Sequence, residues 1–577
     1  MVMVCMDGFS AGARSCALPP RRLAAVWQTA YRRADRQATR IVMTADIASH
    51  RRTIAGRSIR WDEARAAAAY ASGYWVRTTL ADALREADAV EPDRVLVIEG
   101  ETTVTAARLL DRATVLAQAM LARMAPGSVV TFMLPNWHEA VEIYLAATLA
   151  GMVAHPVLPS LRDHDLGFML ADADSRMIFV PSTFRKHDYA AMMERVSAKM
   201  ERPPHVVVLR GEAGPHTPYA ALFEQAPPHD LPPLDADAVR MIMYTSGTTG
   251  SPKGVMHTHN SLHALIRQLG EHWLVARGDQ FLVPSPISHI GGSIYAFEMP
   301  LLLGTTAVLM ESWDPVAGVE IMDARGITHM AGATPFLEGL LAAARARDSH
   351  VPSLKVFICG GASVPPSLIR DASAWFARAA VSRVYGSTEV PVTTVGVQDR
   401  ADVHHAAETD GKPGIAEVRL SDAQEICMKG PQMMMGYHRQ SDEANAFDAD
   451  GFYRSGDQGA WVDGAYLVVT GRIKDLIIRN GENIAPKEIE DLLVRHPAIA
   501  EIAIVGLPDP RTGERACAAI VPTEGQEVTV ADLFAYLDGQ GVAKFKIPEQ
   551  VALVAALPKN DAGKVLKNKI RESLLTG

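Results

Sequence analysis

The chain has 577 residues, too many for one hydrophobic core, and at roughly 150 residues per domain it suggests about three or four units. Hydrophobic residues make up 48% and charged residues 21%, an ordinary globular mixture. The net charge of −9 excludes a general nucleic-acid binder, which carries a basic excess, but leaves room for a local basic pocket.

Residues 1–42 carry seven arginines and two acidic residues, Asp7 and Asp35. An Arg-rich, acid-poor stretch fits a mitochondrial transit peptide. It also fits a disordered or untranslated leader with Met43 as the start, the reading favoured here. Val129–Leu134 reads as a buried strand broken by Pro135-Asn136, followed by a helix over Glu139–Ala150 that ends at Gly151. Val153–Val157, Met177–Val180, Val206–Leu209 and Val239–Met243 read as further strands. Strands separated by helices predict parallel α/β sheets. Pro203-Pro204 and Pro227–Pro233 read as linkers between subregions. Met299–Met310 is the best candidate for a membrane span, yet Pro300, Gly304 and two threonines interrupt it. It falls short of the roughly 18 residues that span a bilayer and reads as core. After about residue 474 the texture becomes a small mixed α/β unit: a helix over Lys487–Arg495, strands at Ala503–Val505 and Ala516–Val521, and a helix at Ala531–Leu537. Five cysteines stand far apart with no CxxC pair, which argues against a disulfide framework or zinc site and fits a reducing cytoplasm.

Tyr244–Gly254 reads YTSGTTGSPKG directly after a strand. Glycines allow close backbone approach. Hydroxyls, amides and the Lys253 charge make a phosphate cradle, without Walker spacing. Pro284–Gly292 reads PSPISHIGG and Val356–Ala362 reads VFICGGA, a strand ending in two glycines, where Cys359 reads as a small buried hydrophobe. Val384–Glu389 reads VYGSTE: an aromatic face, a hydroxyl and a hard carboxylate ligand. Gly451–Asp457 (GFYRSGD) and Gly471–Asp475 (GRIKD) follow, then Gly481–Glu490 (GENIAPKEIE) and Pro558–Lys567 (PKNDAGKVLK). Taken singly, His289 reads as a satisfied core histidine, GRIKD as a polar turn and Lys564 as one of several solvated lysines. Their order along the chain decides otherwise. His257, His259, His404 and His405 form no metal-ligand set and read as structural or exposed.

This series resembles the adenylate-forming superfamily of acyl-CoA synthetases, peptide-synthetase adenylation domains and beetle luciferases, over roughly residues 85–570. The resemblance implies a large N-terminal domain of α/β subdomains with helix-flanked sheets (43–473), after the leader, and a small mobile α+β C-terminal domain (474–577). It assigns Thr245, Ser246, Gly247, Thr248, Thr249, Gly250 and Lys253 to ATP phosphates. Gly360, Gly361, Ala362, Tyr385 and Gly386 would border adenine, Asp457 and Arg472 the ribose, with Arg472 also near phosphate. Thr388 would meet the α-phosphate and Glu389 would hold Mg²⁺. His289 would border the acyl pocket, Lys564 would be the catalytic lysine, Lys474 the hinge, and Gly481, Glu482 and Asn483 the CoA tunnel. The chain departs from the family in carrying Ser455 where Thr is usual, which keeps the hydroxyl.

The implied cosubstrates are ATP, CoA and a small carboxylic acid, with Mg²⁺. The acid becomes an acyl-adenylate and then a thioester. A carrier protein supplied in trans is the alternative acceptor, and a non-catalytic adenylate binder is a reading of another class. A homodimer stays open, and the lack of an apolar run of about 18 residues predicts no transmembrane segment. Acyl specificity depends on residues scattered through 289–300, 330–336 and 356–362. Ala68–Thr79 resembles ligases for alicyclic and aromatic acids such as cyclohexanecarboxylate. Ligases for 2-hydroxyaryl acids in the family carry Asn after the pocket histidine, where this chain has Ile290.

Overall fold

The computed structural model describes residues 51–224, 229–245, 251–361, 364–480, 482–560 and 563–576. The leader, the loop centre 246–250, Ala362 and Gly481 lie outside them, as does part of the linker at 227–233.

Two seven-stranded sheets form the larger body. The first runs in the order Thr217–Pro218, His205–Leu209, Ser175–Pro181, Val129–Phe132, Val153–Pro156, Val239–Thr245, Lys253–Thr258. The second runs Ala380–Val384, Val356–Gly360, His329–Gly332, Gln280–Val283, Thr306–Leu309, Val95–Glu99, Thr102–Thr105. Both are parallel, as the strand–helix alternation predicts, except at one edge each. Lys253–Thr258 pairs antiparallel with Val239–Thr245, and Thr102–Thr105 antiparallel with Val95–Glu99. The connections there are too short for the crossover that a parallel pair needs.

Helices fill the space between the sheets. His138–Leu149 is buried on every side from Glu139 onward. That explains its nearly unbroken apolar sequence, since a helix packed all round has no solvent face. One apolar cluster joins Val130, Phe132 and Met241 of the first sheet to Phe281, Ala307 and Ile358 of the second, through Leu145 and Leu269. Inside this layer Arg240 Nη2 meets Glu298 Oε2 at 3.0 Å, with side chains 2% and 1% exposed. Glu298 ends a π-helical turn, Ile294–Glu298.

Met299–Met310 does not form a single element. It splits into a helical turn, Met299–Leu302, and a strand, Thr306–Leu309, with Leu301–Leu303 only half-buried. The split falls at Gly304, whose φ of +73° suits glycine.

A four-stranded antiparallel sheet follows: Glu417–Leu420, Glu425–Lys429, Tyr453–Val462, Tyr466–Arg472. After a short 3₁₀ turn, Ile473–Asp475, the last sheet begins. It holds Glu482–Ile484, Ile477–Arg479, Gly513–Pro522 and Ile499–Asp509, with Gln550–Leu553 against Gly513–Pro522. Helices Pro486–Leu493 and Val530–Gly539 cover its core of Ile489, Leu493, Ile504, Ala518 and Leu533. No helix among the described residues is long and apolar enough to cross a membrane.

Candidate active site

The C-terminal ends of strands from both large sheets carry the motifs. Val239–Thr245 leads into the phosphate loop, and Lys253 opens the strand that leaves it. Ser246, Gly247, Thr248, Thr249 and Gly250 lie outside the described residues. Gly254 is wedged: a Cβ there would approach His438, Ile242 and Tyr244 at 3.1–3.2 Å.

Strand Gln280–Val283 continues into the His289 loop. Asn136, 4% exposed, holds that loop from the neighbouring sheet. Its Nδ2 donates to the carbonyls of Val283 and Ser285 at 3.0 Å, and its Oδ1 accepts the Ile287 amide at 3.0 Å. His289 Nδ1 accepts the Gly291 amide at 3.1 Å, so the proton of the neutral ring sits on Nε2. Burial, then the nearby Lys564 charge, keeps that ring neutral by lowering its pKa. Gly292 lets the loop cross itself, because a Cβ would lie 2.2 Å from the Pro286 carbonyl.

Strand Val356–Gly360 ends against Val384, whose carbonyl would be 2.8 Å from a Cβ on Gly360. Gly361 turns with φ +82° into open space. Cys359 is buried, and burial pushes its thiol up to about 12. It is inert packing rather than a nucleophile.

Tyr385, Gly386, Thr388 and Glu389 follow strand Ala380–Val384. The Tyr385 hydroxyl donates to Asp457 Oδ2 at 2.7 Å, and Arg472 Nε reaches Asp457 Oδ1 at 2.9 Å. Asp457 and Arg472 are direct cross-strand partners, so one hairpin sets both. The Ser455 hydroxyl accepts the Asp457 amide at 3.0 Å, work that the usual threonine could also do. Beneath Thr388 lies buried His257, whose Nε2 donates to the Thr388 carbonyl at 2.7 Å. Burial drives that imidazole down to about 4, which keeps it a neutral, structural donor. His259 is buried too, while His404 is exposed and His405 pairs with Asp402 and Asp463 near the surface.

Glu389 is buried at 7% exposure, and its Oε1 accepts the Tyr437 hydroxyl at 2.8 Å. Its Oε2 has no hydrogen bond among the described residues. A buried carboxylate with one oxygen that no described residue claims fits a hard divalent cation.

Lys564 closes the cluster from the last sheet's side. A turn fixes it: its amide donates to Asn560 Oδ1 at 2.8 Å, and its carbonyl accepts the Asn560 amide at 2.9 Å. Gly563 sits against Pro335, which a Cβ would approach to 3.2 Å. The Lys564 ammonium is lowered from 10.5 to about 8, by burial first and then by the Arg472 charge, with Asp457, Asp475 and Glu389 opposing the fall. Lys564, Arg472, Asp457, Glu389 and His289 therefore share one electrostatic neighbourhood.

Lys474 is exposed in the 3₁₀ turn between the sheets. Glu482 is exposed on the hairpin with Ile477–Arg479, and the Asn483 backbone lies in the same strand. No hydrogen bond or ion pair joins Glu482 to the Lys564 cluster among the described residues. A second acidic group, Glu99, His138 and Glu139, could geometrically hold a cation. Arg210 already bridges its carboxylates at 2.8 and 2.6 Å, which makes it an ion-pair network.

Residues 84–438 match the family model of AMP-binding enzymes, and residues 488–564 match the AMP-binding enzyme C-terminal domain. The chain belongs to the AMP-binding enzyme family, and it is an AMP-forming acid–thiol ligase of the acyl-CoA synthetase kind. It is similar to the medium-chain fatty-acid–CoA ligase of Escherichia coli (strain K12), 30% identical over 538 residues that cover 90% of this chain and 94% of the relative. It is also similar to a salicylyl-CoA synthase / salicylate adenylyltransferase of a Streptomyces species, 30% identical over 531 residues, 87% of this chain and 94% of the relative. Among solved structures, ATP-bound MatB from Rhodopseudomonas palustris superposes with a TM-score of 0.77 at 27% identity, covering 86% of this chain and 99% of that one.

Proposed function

We propose that this ligase activates a carboxylic acid with Mg·ATP and passes the acyl group to the thiol of CoA. In the first half-reaction a carboxylate oxygen attacks the α-phosphorus, the bond to the bridging oxygen breaks and pyrophosphate leaves. In the second, the thiol sulfur attacks the acyl carbonyl carbon, AMP departs and the thiol proton passes to solvent. Positioning and charge stabilisation carry both steps, because the bonds that change belong to the substrates. The observation that supports this most is that Arg472 and Tyr385 hold Asp457 while Tyr437 links Glu389 to Lys253 at the exit of the phosphate loop, with the Lys564 charge responding to Arg472, Asp457 and Glu389.

In this reading Lys564 and Lys253 neutralise charge that develops on carboxylate and phosphates. The Thr388 hydroxyl has no hydrogen bond among the described residues and would donate to the α-phosphate. Glu389 would hold Mg²⁺, whose chemistry is charge neutralisation at the phosphates. Asp457, held by Tyr385 and Arg472, would accept the ribose hydroxyls. The large domain would span 43–473 and the small one 474–577, with the turn at Lys474 as the hinge between two arrangements. The arrangement seen, with Lys564 inward, suits adenylation. Rotation would then exchange Lys564 for the segment containing Gly481, Glu482 and Asn483.

CoA is favoured over a carrier protein by the names of both relatives above. The test is a panel of carboxylic acids assayed for pyrophosphate and AMP release with and without CoA. CoA-dependent turnover with stoichiometric thioester supports the reading. Pyrophosphate release that CoA does not accelerate points to a carrier protein, and no release with any acid argues against catalysis.

A further inference from the structure

Glu389 is held by a segment that the motif series does not include. Residues 429–443 run as a strap between the strand leaving the phosphate loop and the N-terminal part of the chain. On the inner side the Met435 amide donates to the Met256 carbonyl at 2.9 Å, the Met256 amide to the Gly436 carbonyl at 3.1 Å, and the His438 amide to the Gly254 carbonyl at 2.7 Å. On the outer side the Arg60 amide donates to the Met435 carbonyl at 2.8 Å, and Trp75 Nε1 to the Pro431 carbonyl at 2.9 Å. Two ion pairs add to this clamp, Lys429–Asp62 at 2.7 Å and Arg51–Glu443 at 2.9 Å. The clamping residues, 51–75, precede the family match, which begins at residue 84.

The strap is shaped at one point. Gly436 has φ +105°, and a Cβ there would lie 2.3 Å from Glu443 Oε1. That same carboxylate oxygen accepts the Tyr437 amide at 3.1 Å. Tyr437, 3% exposed, is thereby fixed between two groups of the site. Its hydroxyl reaches Glu389 Oε1 at 2.8 Å, and its ring centroid lies 5.2 Å from Lys253 Nζ. The Met434 amide also donates to the Glu389 carbonyl at 2.8 Å.

We propose that Tyr437 is a positioning residue for the metal-bearing carboxylate: it occupies one oxygen of Glu389, leaves the other as the ligand, and is set in place by a strap clamped from residues 51–75. This rests on the reading of Glu389 as the Mg²⁺ carboxylate. Partners that orient a ligand carboxylate are worth roughly 10–100-fold in metal affinity. Removing the hydroxyl frees Glu389 to rotate and leaves Oε1 without its donor.

The experiment uses the full chain with Mn²⁺ as the probe, its binding to the enzyme·ATP complex read by electron paramagnetic resonance. Tyr437→Phe is expected to raise the Mn²⁺ dissociation constant about tenfold, with the acid KM unmoved. The loss in pyrophosphate exchange should shrink as metal is raised. Glu443→Gln, remote from the metal, is expected to weaken Mn²⁺ binding in the same direction by a smaller factor. It stands in if Tyr437→Phe does not fold. Unchanged Mn²⁺ binding in the folded variants, with turnover lowered equally at every metal concentration, overturns the proposal. Glu389→Gln separates the layers. If it abolishes Mn²⁺ binding while the other variants leave it intact, the strap is wrong and Glu389 stands. If Glu389→Gln leaves binding intact, the Glu389 reading itself falls, and the strap with it.

Discussion

Lys564 gives the sharpest quantitative expectation, because its ammonium is brought down to where a pH series between 7 and 9 reads it. Burial and Arg472 bring it from 10.5 to about 8. Below that value it is a cation, and above it the charge is lost. With a pKa of about 8, roughly 90% of the free enzyme carries the charge at pH 7 and roughly 10% at pH 9. Adenylation measured as kcat/KM by ATP–pyrophosphate exchange should therefore fall about tenfold between those pH values. The acid substrate is ionised throughout, since carboxyl groups titrate near 4. Lys564→Arg should lose this alkaline fall, because a guanidinium keeps its proton above about pH 12. Lys564→Ala should lose adenylation by a factor of roughly 10² or more, the scale for one charge stabiliser. Given preformed acyl-adenylate and CoA, the same variant should still form thioester in a single turnover. An alkaline fall that persists in Lys564→Arg would assign the titration to another group. Equal loss of both half-reactions in Lys564→Ala would refute the two-arrangement mechanism.

Lys474→Pro should show the converse defect, since proline fixes φ near −65° and blocks rotation at the turn; pyrophosphate exchange should survive while acyl-CoA formation collapses. Salicylate should be a poor substrate beside benzoate, by roughly tenfold or more in kcat/KM, because Ile290 offers its ortho hydroxyl no partner and an unpaired buried hydroxyl costs on the order of 1–3 kcal/mol. Equal specificity constants for the two acids would defeat that idea. Glu298→Ala should lower stability by about 3–5 kcal/mol in urea unfolding, because it strands the buried Arg240 charge. Replacing both partners by methionine should recover most of the loss. A single variant as stable as the parent would mean that the pair is not buried as described.

The family was legible in the sequence where contiguous residues carry its motifs. A strand end followed by hydroxyls, glycines and a lysine can be recognised without any fold. The same holds for the GSTE run and for the Asp457 turn, whose cross-strand partner Arg472 lies one hairpin away. The supports of these groups were not legible. Asn136 read as a strand breaker, yet it binds a backbone amide 151 residues onward. Tyr437 carries no charge and sits in no phosphate-like run; its partner Glu389 lies 48 residues back. Such roles depend on which strands become neighbours, and local pattern does not contain that. The same limit hid the antiparallel edges, where the length of a connection overrides alternation.

The division of the larger body into two sheets has a consequence for divergence within the family. The phosphate loop hangs from one sheet, while the His289 loop and the Gly360–Gly361 turn hang from the other. Asn136 is a rivet between them, bonding backbone rather than any acid-specific side chain. The His289 loop can therefore change sequence without disturbing the strand that leads into the phosphate loop, so long as the backbone groups that Asn136 binds stay in place.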